Sequence, residues 1–179
     1  FPPHPHANME IVTYVREGAI THQDDLGNHG RTEAGDVQVM SAGTGIVHAE
    51  YNREDEATTL FQIWILPDRR GEQPSWGQRE FPLVARDGAW TVLASGNAGD
   101  ADALRIRADA RVLAATLRAG QTVRYAPGAG RHQYLVAPTG LVRVNGAEAN
   151  ARDGIAVTGE AEILVEAVDD TEIVMVDAR

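Results

Sequence analysis

The sequence predicts an all-β protein. Short apolar runs recur along its 179 residues, and they are rich in Val, Ile and Thr, which favour strands. Gly, Pro, Asn or Asp separates most of these runs, and 18 glycines and 8 prolines supply the turn residues that such a chain needs. The predicted strands are 10–15, 36–40, 58–66, 90–94, 111–117, 141–146, 154–159, 161–167 and 172–177.

Two segments are less regular. The alanine-dense segment 102–120 allows a helix, but we favour a pair of strands there. Segment 67–82, with three prolines and two glycines, is interpreted as a connection between two halves. This interpretation places the domains at 1–82 and 83–179. Faint similarities between the halves favour an internal duplication.

Composition excludes several classes of protein. A formal net charge of −10 without clustered Lys or Arg argues against direct nucleic-acid binding. The absence of cysteine excludes disulfides and thiolate ligands and agrees with a cytoplasmic location. The apolar runs, such as 60–66, are shorter than the ~20 residues of a membrane span. We therefore expect a cytoplasmic protein that does not enter a membrane, and we expect a monomer.

Four potential metal ligands occur as two pairs with one spacing. His4 and His6 are separated by one residue, and so are His48 and Glu50. Residues i and i+2 of a strand point to the same face, so neighbouring strands would bring three imidazoles and a carboxylate together. This donor set predicts a divalent transition metal, Fe(II) first, with Mn, Ni, Cu, Co or Zn as alternatives. From spacing alone, accidental surface histidines remain an equal alternative.

The order of these motifs resembles a known family. The segment HPHANMEIVTYVREG, followed by GDVQVMSAGTGIVHAE, is similar to the two motifs of cupins and, in its fuller text, to the pirin family. Segment 140–157 resembles the second cupin of the shorter, bacterial quercetinase-like pirins. The resemblance implies two tandem jelly-roll barrels, of which the N-terminal one binds the metal. Pirins carry a segment before the histidine pair, so we expect the natural chain to begin upstream of Phe1.

The resemblance also implies roles for individual residues. In pirins the positions that match His4, His6, His48 and Glu50 bind the metal, and we expect Glu50 to act in catalysis as well. Glu10 is not a ligand in pirins; we expect it to orient a ligand imidazole, with a solvated carboxylate as the alternative. Some apolar residues could line a pocket at the metal, although such residues more often belong to the core. These candidates are Met9, Met40, Ile46, Phe61 and Trp64.

The other histidines have no assigned role. His22 and His29 flank a turn-rich hairpin tip, and we expect both to be solvated. His132 occupies the place of Glu10 in the second half, but no histidines stand where the ligand pair would fall. We therefore expect the second cupin to lack a metal site, and to be structural or a lid.

The resemblance implies a metal-dependent dioxygenase similar to quercetin 2,3-dioxygenase. A flavonol would bind through its 3-hydroxyl and 4-oxo edge, and dioxygen would cleave the central ring with release of carbon monoxide. Two alternatives stay open. The first is an iron-binding, redox-responsive regulator of a protein partner, and the second is a cupin that keeps its metal for stability alone.

Overall fold

A computed structural model describes the backbone of residues 1–179 and every side chain except that of Leu83. The all-β prediction is confirmed, since the described elements are strands and one short 3-10 helix, Leu83–Arg86. The strands are β1 (His4–His6), β2 (Glu10–Glu17), β3 (Ala19–Asp24), β4 (His29–Glu33), β5 (Val37–Ser41), β6 (Ile46–Tyr51), β7 (Thr59–Ile65), β8 (Ser75–Arg79), β9 (Thr91–Ser95), β10 (Leu104–Arg105), β11 (Ala110–Leu117), β12 (Thr122–Tyr125), β13 (His132–Val136), β14 (Val142–Val144), β15 (Ala147–Ala149), β16 (Gly154–Thr158), β17 (Ile163–Ala167) and β18 (Thr171–Ala178).

Each predicted strand is present. Segment 102–120 forms β10 and β11, as favoured over the helix. The Val- and Ile-rich runs pair as expected because branched side chains pack well on a pleated surface. In the described part of the chain, no helix is long and apolar enough to cross a membrane.

The chain forms two compact units. The first comprises Phe1–Pro82 and Ala94–Asp109, and the second comprises Leu83–Leu93 and Ala110–Arg179. The first unit contains two antiparallel sheets with strand orders β1-β6-β3-β4 and β7-β2-β5-β8. The second contains the strand orders β11-β18-β13-β16 and β12-β17-β14-β15. The division into domains at 1–82 and 83–179 stays a prediction.

Segment 67–82 is more than the predicted connection, because it contains β8. Residues Ser75–Arg79 pair along their whole length with β5 at the edge of a sheet. Its sequence, SWGQR, lacks the apolar alternation of a buried strand. An edge strand is paired on one side and tolerates polar residues, which explains why its composition concealed it.

Strand β6 is paired on both sides. Its partner β1 places His4 directly opposite His48, and its partner β3 places Asp24 opposite His48 and His22 opposite Glu50. Directly opposite residues of an antiparallel pair lie on the same face of the sheet. The five side chains therefore share one face of the first sheet.

The second sheet of the first unit presents an amide-bearing row. Thr13 of β2 pairs with Gln38 of β5 on one side and with Gln62 of β7 on the other. Two residues away on β2, Ile11 pairs with Met40 of β5 and with Trp64 of β7 in the same way. Both rows therefore lie on one face of this sheet.

The second unit has its own core of aliphatic side chains from both of its sheets. Leu135 and Ile173 from one sheet and Ile163 and Val165 from the other are fully buried in a single cluster. A buried carboxylate, Asp177, accepts hydrogen bonds from three side chains of this unit: Tyr125, Arg131 and Gln133. Because its partners are present, this buried charge is compensated.

The loop before β6 turns sharply at Gly43, whose φ is 50°. The backbone of a neighbouring segment presses against this turn, since Thr44 N donates to Glu72 O at 2.8 Å. A Cβ atom at position 43 would lie 2.1 Å from Glu72 O. Glycine is therefore required here both for its conformation and for its lack of a side chain.

Gly43→Ala should lower the free energy of unfolding by roughly 2–4 kcal/mol, because a left-handed backbone and an overpacked contact add their costs. The matched control is Gly27→Ala, where φ is also positive, at 89°, but no atom lies within 4 Å of the added Cβ. The control should lose only about 1–2 kcal/mol. Urea titrations followed by tryptophan fluorescence measure both; equal losses would show that the loop yields to the side chain.

Candidate metal centre

Three imidazoles meet on the inner face of the first sheet. The ring centroids of His4 and His48 are 4.5 Å apart, those of His4 and His6 are 4.8 Å apart, and those of His6 and His48 are 5.1 Å apart. One ligand atom from each ring lies within 4.8 Å of the others. The structure thus brings together the three histidines that the sequence predicted as ligands.

Burial favours the unprotonated form of two of these imidazoles, those of His48 and His6. It lowers the pKa of His48 to about 3, with His4 as the next contributor. It also lowers the pKa of His6, again with His4 as the second cause. Metals bind the neutral ring, so these two rings are ready to act as ligands near neutral pH.

The orientation of His4 is fixed by the backbone. Its Nδ1 lies 2.7 Å from the carbonyl oxygen of Pro2, which can only accept a hydrogen bond. His4 Nδ1 therefore carries a proton, which leaves Nε2 as the ring nitrogen available to a metal. This Nε2 lies 3.1 Å from Nε2 of His48, a separation at which both nitrogens could bind one cation.

Glu50 is buried beside His48 and is held by two amides of the facing sheet. Gln38 Nε2 donates to Oε1 at 2.5 Å, and Gln62 Nε2 donates to Oε2 at 2.8 Å. Ligand atoms of Glu50, His48 and His22 form a second group within 4.8 Å. The predicted carboxylate ligand thus adjoins one imidazole of the triad, His48, and its two oxygens are oriented by the protein.

The amides of Gln38 and Gln62 are themselves oriented. Thr32 Oγ1 donates to Gln38 Oε1 at 3.2 Å, and Trp64 Nε1 donates to Gln62 Oε1 at 3.1 Å. Each amide therefore turns its Nε2 towards Glu50. Sequence reasoning missed both glutamines. The available signal was that each one stands between two apolar residues within a strand, β5 or β7.

His22 was predicted to be solvated, but it is fully buried. Its Nε2 lies 2.9 Å from Asp24 Oδ2, and its ring stacks on Trp76 with centroids 4.8 Å apart and planes at 11°. The prediction was wrong because the strand continues through the polar residues as far as Asp24 before the hairpin turns. His29, beyond that turn, is exposed as predicted.

Glu10 is also placed differently from expectation. The left-handed residue Asn8, with a φ of 51°, separates β1 from β2, so Glu10 lies in the other sheet from the histidine pair. It is buried, and its Oε2 accepts hydrogen bonds from Ser41 Oγ at 2.6 Å and from Arg107 N at 3.1 Å. Burial raises the pKa of Glu10 although these hydrogen bonds oppose the shift. The carboxyl group of Glu10 thus binds the Ser41 hydroxyl and the Arg107 backbone N–H. It is neither solvated nor hydrogen-bonded to an imidazole.

One predicted pocket residue lies at the mouth of the centre. Trp64 is 53% exposed, and its ring meets His6 edge-on, with centroids 4.9 Å apart and planes at 84°. Phe61 is an odd number of positions from Trp64 in β7, so its side chain points to the opposite face of the sheet. The prediction that Phe61 lines the pocket is therefore corrected.

The remaining predicted pocket residues belong to the core of the first unit. Met40 and Ile46 are buried in a cluster with Ile11, and Met9 packs against this cluster while remaining half-buried. Met40 and Ile46 lie on the inner faces of the two sheets, since Ile46 is paired with His6 and Met40 is two residues from Gln38. Whether any of them contacts a substrate stays a prediction.

Comparison with known proteins decides the family. Residues 1–65 match the family described as Pirin, and residues 82–178 match the family described as Quercetinase C-terminal cupin domain. A pirin-like protein of Caulobacter vibrioides is 62% identical over 178 residues, which cover 99% of this chain and 77% of that protein. This chain belongs to the pirin family.

Two further relatives extend the comparison. Quercetin 2,3-dioxygenase of Escherichia coli K12 is 39% identical over 178 residues, covering 99% of this pirin and 75% of that protein. The crystal structure of the bacterial pirin YhhW of Escherichia coli in complex with nickel(II) superposes with a TM-score of 0.90 at 36% identity, covering 99% and 76% of the two chains. This pirin therefore has the predicted two cupin domains.

The residues present fit a divalent transition metal. Three imidazoles with converging nitrogens and an adjacent oriented carboxylate form the nitrogen–oxygen donor set that Fe, Mn, Ni, Cu, Co and Zn accept. The cluster can therefore bind a metal, and the donor set alone leaves the identity of that metal open.

Gln38→Leu should lower the free energy of unfolding by about 1–3 kcal/mol, because the buried Glu50 loses one of its two amide donors. The control is Gln78→Leu at the exposed surface, where Gln78 Oε1 also accepts from Thr32. The control should change stability by at most about 0.5 kcal/mol. Urea denaturation of the two variants measures the difference; equal effects would contradict a structural dependence of Glu50 on Gln38.

Proposed function

We propose that this pirin is a metal-dependent dioxygenase that opens the central ring of a flavonol and releases carbon monoxide. His4, His6, His48 and Glu50 would hold one divalent transition metal, with Fe(II) as the first candidate. The observation that carries the proposal is the triad of imidazoles beside a carboxylate whose two oxygens are both oriented. The printed names of several relatives, which refer to quercetin 2,3-dioxygenase, support the substrate class.

The metal and Glu50 have separate tasks in this proposal. When bound, the metal supplies Lewis acidity and redox chemistry for a reaction with dioxygen. Glu50 accepts the proton of the flavonol 3-hydroxyl, as a general base. Each carboxylate oxygen has more than one lone pair, so its amide partners do not prevent it. Oε2 is the more accessible oxygen, since its partner Gln62 is half-buried whereas Gln38 is buried, and we assign the proton to Oε2.

Trp64 gives the site an aromatic surface for a flat substrate. Its exposed indole lies beside His6, and its Nε1 is hydrogen-bonded to Gln62. A flavonol ring stacked or edge-packed on this indole would gain about 0.5–1.5 kcal/mol beyond area burial. Trp64 is also connected to the proposed base, because it donates to Gln62, which in turn donates to Glu50.

The first experiment combines elemental analysis of the purified protein with oxygen uptake in the presence of quercetin. The wild type and the control His132→Ala should contain one metal per chain and consume oxygen, because His132 lies in the second unit. His48→Ala should lose both properties. Metal without oxygen uptake would refute the enzyme and favour the redox-responsive regulator. No metal in the wild type would refute the proposed site itself.

Glu50→Gln tests the base separately. At equal metal occupancy, kcat for quercetin should fall by about 10²–10⁴-fold, the usual contribution of a general base, while KM changes much less. Glu33→Gln removes an exposed carboxylate of the same unit and should leave kcat unchanged. Unchanged kcat in Glu50→Gln would show that another group accepts the proton.

A further inference from the structure

His22 is a fully buried, titratable group that the proposed chemistry does not use. It lies between Trp76, on which it stacks, and His48, whose Nδ1 is 3.4 Å from Nδ1 of His22. On its far side, Nε2 contacts the carboxylate of Asp24 at 2.9 Å. A continuous chain of hydrogen-bonding groups therefore runs from Asp24 through His22 to the imidazole at the centre of the metal site.

Asp24 is held as a carboxylate at the outer end of this chain. Its side chain is fully buried, and it accepts hydrogen bonds from the backbone N–H groups of Leu26 and Asn28 as well as from Asn28 Nδ2. Burial opposes the charged form, but hydrogen bonds from His22 and Asn28 outweigh it, so the pKa of Asp24 is lowered. An ionised carboxylate accepts hydrogen bonds and donates none.

The proton positions follow from this end of the chain. Because Asp24 accepts, His22 Nε2 carries a proton, and on a ring with a single proton Nδ1 is an acceptor. His48 Nδ1 must then donate to it, which leaves the lone pair of His48 on Nε2, the nitrogen that faces His4 at 3.1 Å. The backbone carbonyl of Pro2 imposes the same arrangement on His4.

We propose that His22 is a positioning residue that, together with Asp24, fixes the proton of His48 on Nδ1 and presents Nε2 to the metal. The inference rests on the metal site proposed above. Metal-bound histidines commonly donate their second N–H to an outer partner, which sets the tautomer and the ring orientation. Here that partner is a second imidazole, oriented in turn by a carboxylate.

The packing around His22 holds its ring in the required plane. Trp76 stacks flat against it from the facing sheet, and Gly30 lies opposite His22 on β4. A Cβ atom on Gly30 would approach Cη2 of Trp76 to 2.1 Å. The glycine thus leaves the space that the indole occupies, and the stack prevents the imidazole from turning away from His48.

The direct test is the tautomeric state of the metal-free protein. In the ¹⁵N-histidine-labelled protein, two-bond ¹H–¹⁵N correlations distinguish Nδ1–H from Nε2–H rings, and single-histidine variants assign the signals. We expect His48 as the Nδ1–H form and His22 as the Nε2–H form. A proton on Nε2 of His48, or protons on both nitrogens of His22, would overturn the proposal.

Nickel(II) affinity, measured by competition with a chelator, tests the consequence. His22→Phe keeps an aromatic ring for the stack but has no acceptor, and it should bind nickel(II) about 10–100-fold more weakly. His22→Gln loses the stack but keeps an acceptor oxygen, so it should recover part of the affinity. The exposed control His29→Phe should bind as the wild type does, and thermal unfolding without metal confirms that each variant folds.

Two outcomes of the nickel experiment would reject the positioning role. One is wild-type affinity in His22→Phe. The other is binding of two nickel ions by the wild type with loss of one in His22→Phe, since His22 would then be a ligand itself. Neither measurement uses a flavonol, so a failure of quercetin turnover refutes the proposed enzyme while leaving this inference unaffected.

Discussion

The antiparallel pairing of β6 with β1 on one side and β3 on the other governs the metal centre. Register on the first side puts His4 opposite His48, and register on the second puts His22 opposite Glu50. A slip of one residue in either pairing would turn the affected side chains to the other face of the sheet. The backbone hydrogen bonds of three strands therefore bring these candidate ligands together.

The facing sheet completes the centre by compensating its buried polar groups. A carboxylate such as Glu50 is costly to bury unless donors reach it, and Gln38 and Gln62 supply one donor to each oxygen. Their own acceptors are occupied by Thr32 and Trp64. A continuous series of hydrogen bonds thus runs from Thr32 through Gln38, Glu50 and Gln62 to the exposed indole of Trp64, which favours a preorganised site.

Burial also prepares the imidazoles electrostatically. Burial lowers the pKa of His48 and of His6, and the neighbouring imidazoles lower both further. Metal binding therefore displaces little bound proton, which is a condition for tight binding near neutral pH. In the second unit, by contrast, the buried carboxylate of Asp177 accepts hydrogen bonds from one arginine and from two neutral side chains. Its charge is therefore compensated inside the core of that unit.

The sequence by itself determined the strand content, because Val- and Ile-rich alternation is a local property, and it determined the ligand pairs, because i and i+2 share a face wherever a strand forms. It also carried the resemblance to pirins through the text around His4 and His48. It did not reveal β8 or the inward position of His22, since both occur in polar stretches whose burial depends on a partner strand or a facing sheet. Only the tertiary structure decided that Gln38, Gln62 and His22 surround the centre, because cross-strand register and sheet packing join residues that are distant in sequence.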